Sequence, residues 1–531
     1  MPEDFSFRRL IEERAAREGW RPFLTFAGRT WSAAEMDAGA NRAANALRAV
    51  GVRQRDHVAV LLPNGPEIVW CWWGLAKLGA VYVPINTQLV GESLGYVLRH
   101  SDAKVLVVDG PLLPNARAAL SPWPRSLKAL TPVQLLTDSD GAPPPEIDER
   151  PEDPALIIYT SGTTGVPKGV LWSRQAQTFH ARRYAEELNC AEPGESVYTC
   201  LPFFHVTSIG VSISSYLRGA RVAVDPSFDP FGHWRRIREE GAVLFPYVGA
   251  ILGLLHKRPR RVDDGDNPVR WAMGAAAPKE IWRSVEERFR LCLVETYGQT
   301  ELAGHWLMRP MADRISGGLG QSSVPGGTGG RGDKIGTVGK PPARLEVKLL
   351  DEHDREIVEP DVPGELVARA AGPHLLMDGY DKQPEATQTA FRGGWYRTGD
   401  RLSRDAGGYF TYLGRLKDFI RHRGENVSAF EIERAVNGHS SVLECAAVGV
   451  PSTMGEEDVL LCVVPREGQT VDPETLYAYC RERLALFMLP RYVQLLDSLP
   501  KTATQRIQKF KLAEQFDAAL AWDRRRRRLP A

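Results

Sequence analysis

The sequence predicts an α/β protein with a large layered N-terminal body of mostly parallel sheets and a small α+β C-terminal domain. Two observations support this. Over most of the 531 residues, short apolar runs alternate with longer amphipathic segments, which is typical of strand–helix–strand crossover units and parallel pairing. After Gly414 the elements become shorter and the alternation ends. We therefore predict domains at residues 1–415 and 416–531.

The first elements follow from local patterns. Apolar runs predict buried strands, and the amphipathic segments between them predict helices. The predicted strands and helices of this region, in order, are Val58–Leu62, Glu67–Leu78, Val81–Pro84, Ser93–His100 and Val105–Val108. Further strands are predicted at Leu156–Tyr159, Val222–Val224 and Leu291–Glu295. In the small domain we predict strands at Cys445–Val450, Val459–Val464 and Tyr492–Leu496, with a helix at Pro473–Leu486.

Composition narrows the possible partners. The formal net charge is +1, so no overall field favours nucleic acid or a membrane surface. The 7 cysteines form no CxxC pair, which argues against a disulfide framework and for a reducing compartment. Residues Met1–Glu18 contain no apolar signal segment. We expect a cytoplasmic protein, monomer or homodimer, that acts on small molecules without nucleic acid or membrane.

The strongest chemical motif is Tyr159-Thr-Ser-Gly-Thr-Thr-Gly-Val-Pro-Lys-Gly-Val170. It follows the apolar run Ala155–Ile158, so it lies at the carboxyl end of a strand, where open α/β sheets bind ligands. Glycines expose the backbone amides, hydroxyls add donors, and Lys168 adds a positive charge. The segment is not a Walker A loop, because that spacing of glycines and lysine is absent. It predicts a polyphosphate cradle.

This segment resembles the signature loop of the adenylate-forming enzymes, which include acyl-CoA synthetases, nonribosomal adenylation domains and luciferases. Further segments follow the same family pattern. Leu201-Pro-Phe-Phe-His205 resembles the segment that gates the carboxylate pocket, and Gly274-Ala-Ala-Ala-Pro278 resembles the stretch against adenine and the acyl group. In Glu295-Thr-Tyr-Gly-Gln-Thr-Glu301, the resemblance implies that Tyr297 stacks on adenine, Thr300 contacts the α-phosphate and Glu301 helps to hold Mg²⁺.

The resemblance continues towards the C-terminus. In Trp395-Tyr-Arg-Thr-Gly-Asp400, it implies that Asp400 accepts hydrogen bonds from both ribose hydroxyls, and that Arg415 contacts ribose or phosphate. The resemblance also implies that Lys417 falls beside the hinge about which a small, mobile domain rotates, and that Gly424 lies in the loop that lines the pantetheine tunnel. The match extends from about Trp31 to Leu512, and two segments, Glu67–Asn86 and Gly424–Ser428, look most like the carnitine/crotonobetaine-CoA ligase branch.

One position departs from the family pattern. In this family the C-terminal domain ends with a Pro-x-Thr-x-x-Gly-Lys segment, and its lysine bridges the substrate carboxylate and the α-phosphate. Here Gln505 replaces the glycine and Arg506 replaces the lysine. Arginine keeps the charge but spreads it over a planar fork of different reach. Lys501 and Lys509 lie nearby as alternatives, and we rank Arg506 first.

Together the residues and the resemblance predict ATP-dependent formation of an acyl-AMP and its transfer to coenzyme A, with ATP, Mg²⁺ and CoA as cofactors or co-substrates. The catalytic candidates are Lys168, His205, Glu301 and Arg506, with Glu301 also the metal ligand. The cofactor-binding candidates are Thr160, Ser161, Gly162, Thr163, Thr164, Gly165, Lys168, Gly274, Ala275, Ala276, Glu295, Thr296, Tyr297, Gly298, Thr300, Asp400, Arg415, Lys417 and Gly424.

Several alternatives stay open at this point. The acceptor can be an amine or a carrier-protein thiol in place of CoA. If Arg506 prevents turnover, the chain would bind nucleotide or acyl-AMP without catalysis. The acid pocket is expected among four segments, His205–Ile209, Phe245–Val248, Gly274–Ala276 and Gly298–Gly304, which leave carnitine-like, aliphatic and aryl acids open. We expect Gly317–Gly332 to be a flexible loop and the arginines Arg524–Arg528 to form a solvated, frayed tail.

Overall fold

A computed structural model gives the architecture of the chain. The structure describes residues 5–137, 141–160, 167–277, 279, 281–304, 307–309, 334–416, 419–422, 424–452, 455–500, 507 and 509–526. The glycine-rich segment Gly317–Gly332 lies outside these residues. None of the described helices is both long enough and apolar enough to span a bilayer.

Two large sheets with mostly parallel pairing form the centre of the N-terminal body, as the sequence predicts. The first sheet contains, in spatial order, Gly379–Tyr380, Lys168–Ser173, Pro154–Thr160, Val81–Pro84, His57–Leu61, Val105–Val108 and Lys128–Leu130. The second contains Leu307–Met308, Cys292–Tyr297, Trp271–Ala275, Ala242–Val248, Ser196–Thr199, Arg221–Val224, Pro22–Phe26 and Arg29–Ser32. In the first sheet, Val81–Pro84 and Val105–Val108 are buried at every position, which explains why both are continuous apolar runs.

A third sheet of this body is antiparallel and was not anticipated. It orders Leu345–Leu350, Gly364–Ala370, Trp395–Arg404 and Phe391–Arg392, and Phe410–Arg415 also pairs with Trp395–Arg404. Burial alternates along much of Trp395–Arg404, so its sequence lacks the continuous apolar run that marks a parallel strand. This sheet carries Asp400, which the resemblance makes a candidate ribose ligand.

The C-terminal region has its own sheets and apolar core. The strands Phe419–His422 and Glu425–Ser428 form a hairpin, and a second sheet orders Val442–Pro451, Glu457–Pro465, Tyr492–Leu495 and Trp522–Asp523. A separate cluster of buried side chains runs from Ile420 to Val493, whereas the largest cluster of the body runs from Phe7 to Phe410. The division at residues 415 and 416 remains a prediction.

The α-helices cover the sheets. Among the described residues they are Phe7–Glu18, Ala33–Ala49, Pro66–Lys77, Gly91–His100, Leu113–Ala119, Pro132–Thr137, Arg174–Arg183, Val206–Arg218, His233–Glu240, Gly249–Lys257, Trp282–Phe289, Pro384–Ala390, Ala429–Asn437, Pro473–Arg481 and Lys509–Glu514. Ser32 and Glu35 form a reciprocal capping box that fixes the start of Ala33–Ala49.

The prediction of a frayed arginine tail is wrong for the first residues of the run. Trp522–Asp523 pairs with Tyr492–Leu495, and the Arg524 guanidinium donates a 3.1 Å hydrogen bond to the hydroxyl of Tyr477. Arg525 lies 3.7 Å from the buried carboxylate of Asp458. These contacts hold the start of the arginine run against the small sheet.

Candidate active site

A cavity of about 660 Å³ lies where the sheets of the body meet the C-terminal region. Most of the predicted motifs contribute to its wall. Among the site candidates, those that line it are Thr160, Lys168, His205, Gly274, Ala275, Thr296, Gly298, Thr300, Glu301 and Gly424. Motifs that are up to about 260 residues apart in the chain therefore share one space.

The stem of the predicted phosphate loop is an antiparallel hairpin. Strands Pro154–Thr160 and Lys168–Ser173 pair so that Thr160 lies opposite Lys168. The Tyr159 hydroxyl lies 2.8 Å from Nδ1 of His100, which ties the first strand to a neighbouring helix. Because of this pairing, Lys168 lies at the cavity, beside the carboxyl end of the apolar strand, as the sequence predicts.

Glu295 supports the segment that is predicted to contact adenine. Its carboxylate accepts a 2.7 Å hydrogen bond from the Tyr247 hydroxyl and another of 3.2 Å from the Ala277 amide. Ala276 adopts a φ of +64°, so the chain turns sharply where Gly274 and Ala275 face the cavity. Burial raises the pKa of Glu295 to about 7, although the hydrogen bonds from Tyr247 and the nearby amides oppose the shift. Glu295 thus shapes the loop rather than facing the cavity.

Asp400 is the centre of a buried polar network. Its Oδ2 accepts hydrogen bonds of 2.7 Å from the Tyr297 hydroxyl and 2.5 Å from the Gln299 amide. The Tyr396 hydroxyl in turn donates a 2.6 Å bond to Oε1 of Gln299. Asp400 is directly opposite Arg415 in the paired strands. The family motifs around Tyr297 and Asp400 therefore meet in space, as the resemblance implied.

The turn that carries Glu301 is anchored from neighbouring strands. The Trp172 indole donates a 2.8 Å hydrogen bond to the carbonyl of Thr300, and the Met377 amide donates one of 2.9 Å to the carbonyl of Glu301. The Tyr380 hydroxyl donates a 3.0 Å bond to Oε1 of Glu301. Nζ of Lys168 lies over the ring of Tyr380, 4.5 Å from the ring centroid.

The C-terminal region contributes a contact to the predicted acid pocket. Nε2 of His205 lies 2.9 Å from Oε1 of Glu425, next to Gly424. Burial raises the pKa of Glu425, but the charges of His205 and Arg421 outweigh this and lower it overall. At Gly424, φ is +80°, and an added Cβ would lie 2.8 Å from Cγ2 of Val248. The loop predicted to line the thiol tunnel therefore contacts His205 and lies beside Val248, two residues of the predicted acid pocket.

The predicted acid segments divide into lining and core residues. His205, Tyr247, Val248, Gly274 and Gly298 line the cavity. Phe245 and Ile209 are buried in apolar clusters behind it.

Five residues near the site were missed by sequence reasoning: Tyr184, Tyr247 as a hydrogen-bond donor, Gln299, Tyr380 and Glu425. Gln299 lies inside a quoted motif, so its position was available as a signal. Tyr380 follows Gly379 in an otherwise unremarkable segment, and only the pairing of Gly379–Tyr380 with Val170 and Leu171 brings it to the site.

Some candidates lie outside the described residues: Ser161, Gly162, Thr163, Thr164, Gly165, Lys417 and Arg506. Their roles remain predictions.

Comparison with known proteins agrees with the arrangement of motifs. Residues 11–381 match the AMP-binding enzyme family and residues 431–506 match the AMP-binding enzyme C-terminal domain. The chain is 31% identical to a long-chain-fatty-acid–CoA ligase of Mycobacterium tuberculosis, over 92% of this chain and 93% of that protein. It is 28% identical to a crotonobetaine/carnitine–CoA ligase of Salmonella arizonae, over 90% of this chain and 92% of that one.

A solved structure of a fatty acyl CoA synthetase of Mycobacterium tuberculosis matches with a TM-score of 0.70 and 28% identity, covering 97% of this chain and 99% of that one. The resemblance read from the motifs is thereby confirmed, and crotonobetaine/carnitine–CoA ligases are among the relatives. The chain belongs to the AMP-binding enzyme family, the adenylate-forming enzymes.

Proposed function

We propose that the chain is an AMP-forming acid–thiol ligase, which activates a carboxylic acid with ATP as acyl-AMP and then forms acyl-CoA. One observation carries this proposal: a single cavity joins the phosphate-loop stem at Lys168, the turn at Glu301 and the C-terminal loop at Gly424. A site for both half-reactions needs the phosphate contacts and a thiol entrance to open on one acid pocket.

In the first half-reaction a carboxylate oxygen attacks the α-phosphorus of ATP. The new oxygen–phosphorus bond forms as the bond to the β-phosphate oxygen breaks, and pyrophosphate leaves. Acid and triphosphate are both anionic, so Lys168 and the amides of the phosphate loop would offset the repulsion. Arg506 would bridge the carboxylate and the α-phosphate in place of the family's lysine, a role that its charge permits.

The residues present fit a magnesium ion bound together with nucleotide. Glu301 lines the cavity with one carboxylate, and Mg²⁺ is usually held by one or two carboxylates with substrate phosphates. When bound, the ion would neutralise charge on the phosphates. Glu301 would hold it, and the anchored turn at Thr300 keeps that carboxylate at the phosphate side of the cavity.

Nucleotide orientation would depend on Asp400. An ionised carboxylate is an acceptor with two oxygens, which suits the paired hydroxyls of ribose. The bonds from Tyr297 and Gln299 fix its orientation before nucleotide arrives. The turn at Gly274–Ala276, supported by Glu295, would provide the flat surface for adenine.

In the second half-reaction a CoA thiolate attacks the carbonyl carbon of acyl-AMP, and AMP leaves with the bonding electrons of the carbonyl–oxygen bond. Gly424 and Glu425 line the cavity beside His205, so their loop would bring this thiol to the acyl group. Rotation of the C-terminal domain near Lys417 would alternate this loop with Arg506.

The relatives' names cover different acids, fatty and betaine among them, so the acid is left open. We further propose that the enzyme acts on small molecules as a monomer or homodimer in the cytoplasm.

Product analysis tests the proposal. The full chain is incubated with ATP, Mg²⁺ and a panel of aliphatic, aryl and betaine acids, with either CoA or a panel of amines, and products are identified by mass. Acyl-CoA, AMP and pyrophosphate are expected. Amides in the absence of acyl-CoA would favour an amine acceptor, and no pyrophosphate with any acid would contradict catalysis. Raised activity of Arg506→Lys would show that the arginine limits the rate.

A further inference from the structure

Tyr380 lies between two residues with opposite charges in the proposed phosphate site. Its hydroxyl donates a 3.0 Å hydrogen bond to Oε1 of Glu301, and its ring lies 4.5 Å from Nζ of Lys168. All three side chains line the same cavity. One aromatic side chain thus contacts the candidate magnesium ligand by its edge and the candidate phosphate lysine by its face.

The backbone around Tyr380 is fixed on both sides. Gly379–Tyr380 pairs antiparallel with the strand that begins at Lys168, so Tyr380 lies opposite Val170. The Asp381 amide donates a 2.8 Å hydrogen bond to the carbonyl of Gly169, and the Tyr380 amide donates one of 2.9 Å to Oγ1 of Thr387. These contacts fix the backbone of Tyr380 beside the strand that begins at Lys168.

The hydroxyl and the ring of Tyr380 attract groups of opposite charge from different directions. The face of an aromatic ring is electronegative and attracts an ammonium, whereas a phenol hydroxyl donates to a carboxylate. The ring therefore directs the ammonium of Lys168 over its face and the carboxylate of Glu301 to its edge. A side chain without a ring or hydroxyl at this position would fix neither group.

We propose that Tyr380 is a positioning residue with two separate roles. Its hydroxyl orients the carboxylate of Glu301 for magnesium, and its ring orients the ammonium of Lys168 for the triphosphate. This inference rests on the proposed function. The hydroxyl is expected to affect the gain in nucleotide affinity that Mg²⁺ causes, and the ring to affect the nucleotide affinity without Mg²⁺. The effects of losing the two contacts can therefore be measured separately.

Binding of a non-hydrolysable nucleotide tests the two halves separately. The affinity of the full chain for α,β-methylene-ATP is measured by calorimetry without Mg²⁺ and over a Mg²⁺ series. Tyr380→Phe keeps the ring, so we expect unchanged affinity without Mg²⁺ and an approximately tenfold higher Mg²⁺ concentration for the half-maximal gain. Tyr380→Leu should show the same shift and also bind about fivefold more weakly without Mg²⁺.

Tyr409→Phe is the matched control. Lys340 and Lys334 lie 4.5 and 4.6 Å from the ring of Tyr409, which is outside the cavity lining. Its loss of a hydroxyl should leave both affinities unchanged. In a Glu301→Gln background, Tyr380→Phe should cause no further shift in the Mg²⁺ series, because the hydroxyl then has no carboxylate to orient.

The outcomes separate this inference from the proposed function. An unsubstituted chain that does not bind the nucleotide would contradict the function itself. Nucleotide binding with the same Mg²⁺ dependence in Tyr380→Phe as in the parent would overturn the role of the Tyr380 hydroxyl. Parent-like affinity of a folded Tyr380→Leu without Mg²⁺ would overturn the role of the ring. Tyr380→Phe is the conservative variant, so it decides the role of the hydroxyl even where Tyr380→Leu fails to fold.

Discussion

The hydroxyl of Tyr297 donates a 2.7 Å hydrogen bond to Asp400, a residue 103 positions further along the chain. Tyr297 ends a strand of the second large sheet, and Asp400 lies in the antiparallel sheet. Both side chains are buried. This bond joins the two motifs that we propose to hold adenine and ribose, so it would organise that site before nucleotide binds.

Replacement of Asp400 by asparagine should impair nucleotide use. Asparagine keeps the size but offers one acceptor in place of two and loses the charge, so we expect kcat/KM for ATP to fall about a hundredfold. ATP–pyrophosphate exchange measures this. Asp405→Asn is the control, since Asp405 pairs with Lys334 away from the cavity. Equal losses in both variants would contradict a specific role for Asp400.

Gly424→Ala should slow the thiol step selectively. The added Cβ would lie 2.8 Å from Val248, which forces the C-terminal loop away from the acid pocket. A displacement of about 1 Å can cost on the order of a hundredfold in rate, so we expect at least a tenfold loss of acyl-CoA formation with exchange unchanged. Gly468→Ala is the matched control, with a φ of +74° and nothing within 4 Å of the added Cβ. A slowed exchange reaction in Gly424→Ala would argue against the assignment.

Glu425→Gln should weaken the contact with His205. The pair is partly exposed, with 41% of the His205 side chain and 18% of the Glu425 side chain accessible, so a loss of about fivefold in acyl-CoA formation is expected. The pKa of Glu425 is lowered in the folded protein, so the stabilisation that its carboxylate provides is present above the ordinary glutamate pKa. This stabilisation is lost as pH falls through the lowered pKa. The parent should therefore lose thiol-step activity on acidification, and a parallel loss in Glu425→Gln would refute the link.

Glu295 should make folding stability depend on pH. Its pKa is raised from 4.5 to about 7, so the folded state binds its proton more tightly than the unfolded state. Stability therefore falls as pH rises from 4.5 to about 7, by about 3 kcal/mol, and stays at that lower level above. Glu295→Gln should flatten the dependence of the unfolding free energy over this range. Glu356→Gln, on the surface beside Lys348, should leave it unchanged, and the same slope in Glu295→Gln and the parent would contradict the assignment.

Lys77 provides a test of the body's packing. Its side chain is fully buried, and Nζ lies 2.7 Å from both Asp37 and Asn41. Lys77→Met leaves the Asp37 carboxylate without this charge, and we expect the free energy of unfolding to fall by about 3–5 kcal/mol. Lys104→Met removes the mostly exposed partner of Asp56 and should cost about 1 kcal/mol or less. Chemical denaturation of both variants makes the comparison, and similar small losses would show that the buried pair is not needed.

The buried parallel strands were the most predictable part of the fold. Val81–Pro84 and Val105–Val108 have the predicted bounds, because burial on both faces favours a continuous apolar run, which a local pattern shows. The helix predicted at Pro473–Leu486 ends at Arg481, since Leu486–Met488 forms a separate turn that buries Phe487 and leaves Leu486 exposed. A helical pattern alone does not show where tertiary burial stops the helix.

At the site, the motifs located the residues but not their partners. Asp400 and Tyr297 were predicted as ligands of the same nucleotide, and the structure adds that they bond to each other. The contacts of Tyr380 and Glu425 could not be predicted, because they depend on a short edge strand and on a contact between distant segments. Such contacts have no local periodicity for a sequence pattern to show.

Transfer of isotope from acid to nucleotide tests the central claim most directly. The acid from the panel that releases most pyrophosphate is labelled with ¹⁸O in both carboxylate oxygens and incubated with the full chain, ATP, Mg²⁺ and CoA. Attack of the carboxylate on the α-phosphorus predicts AMP that carries a single ¹⁸O atom and pyrophosphate that carries none. Unlabelled AMP, or ¹⁸O in pyrophosphate or phosphate, would contradict an acyl adenylate.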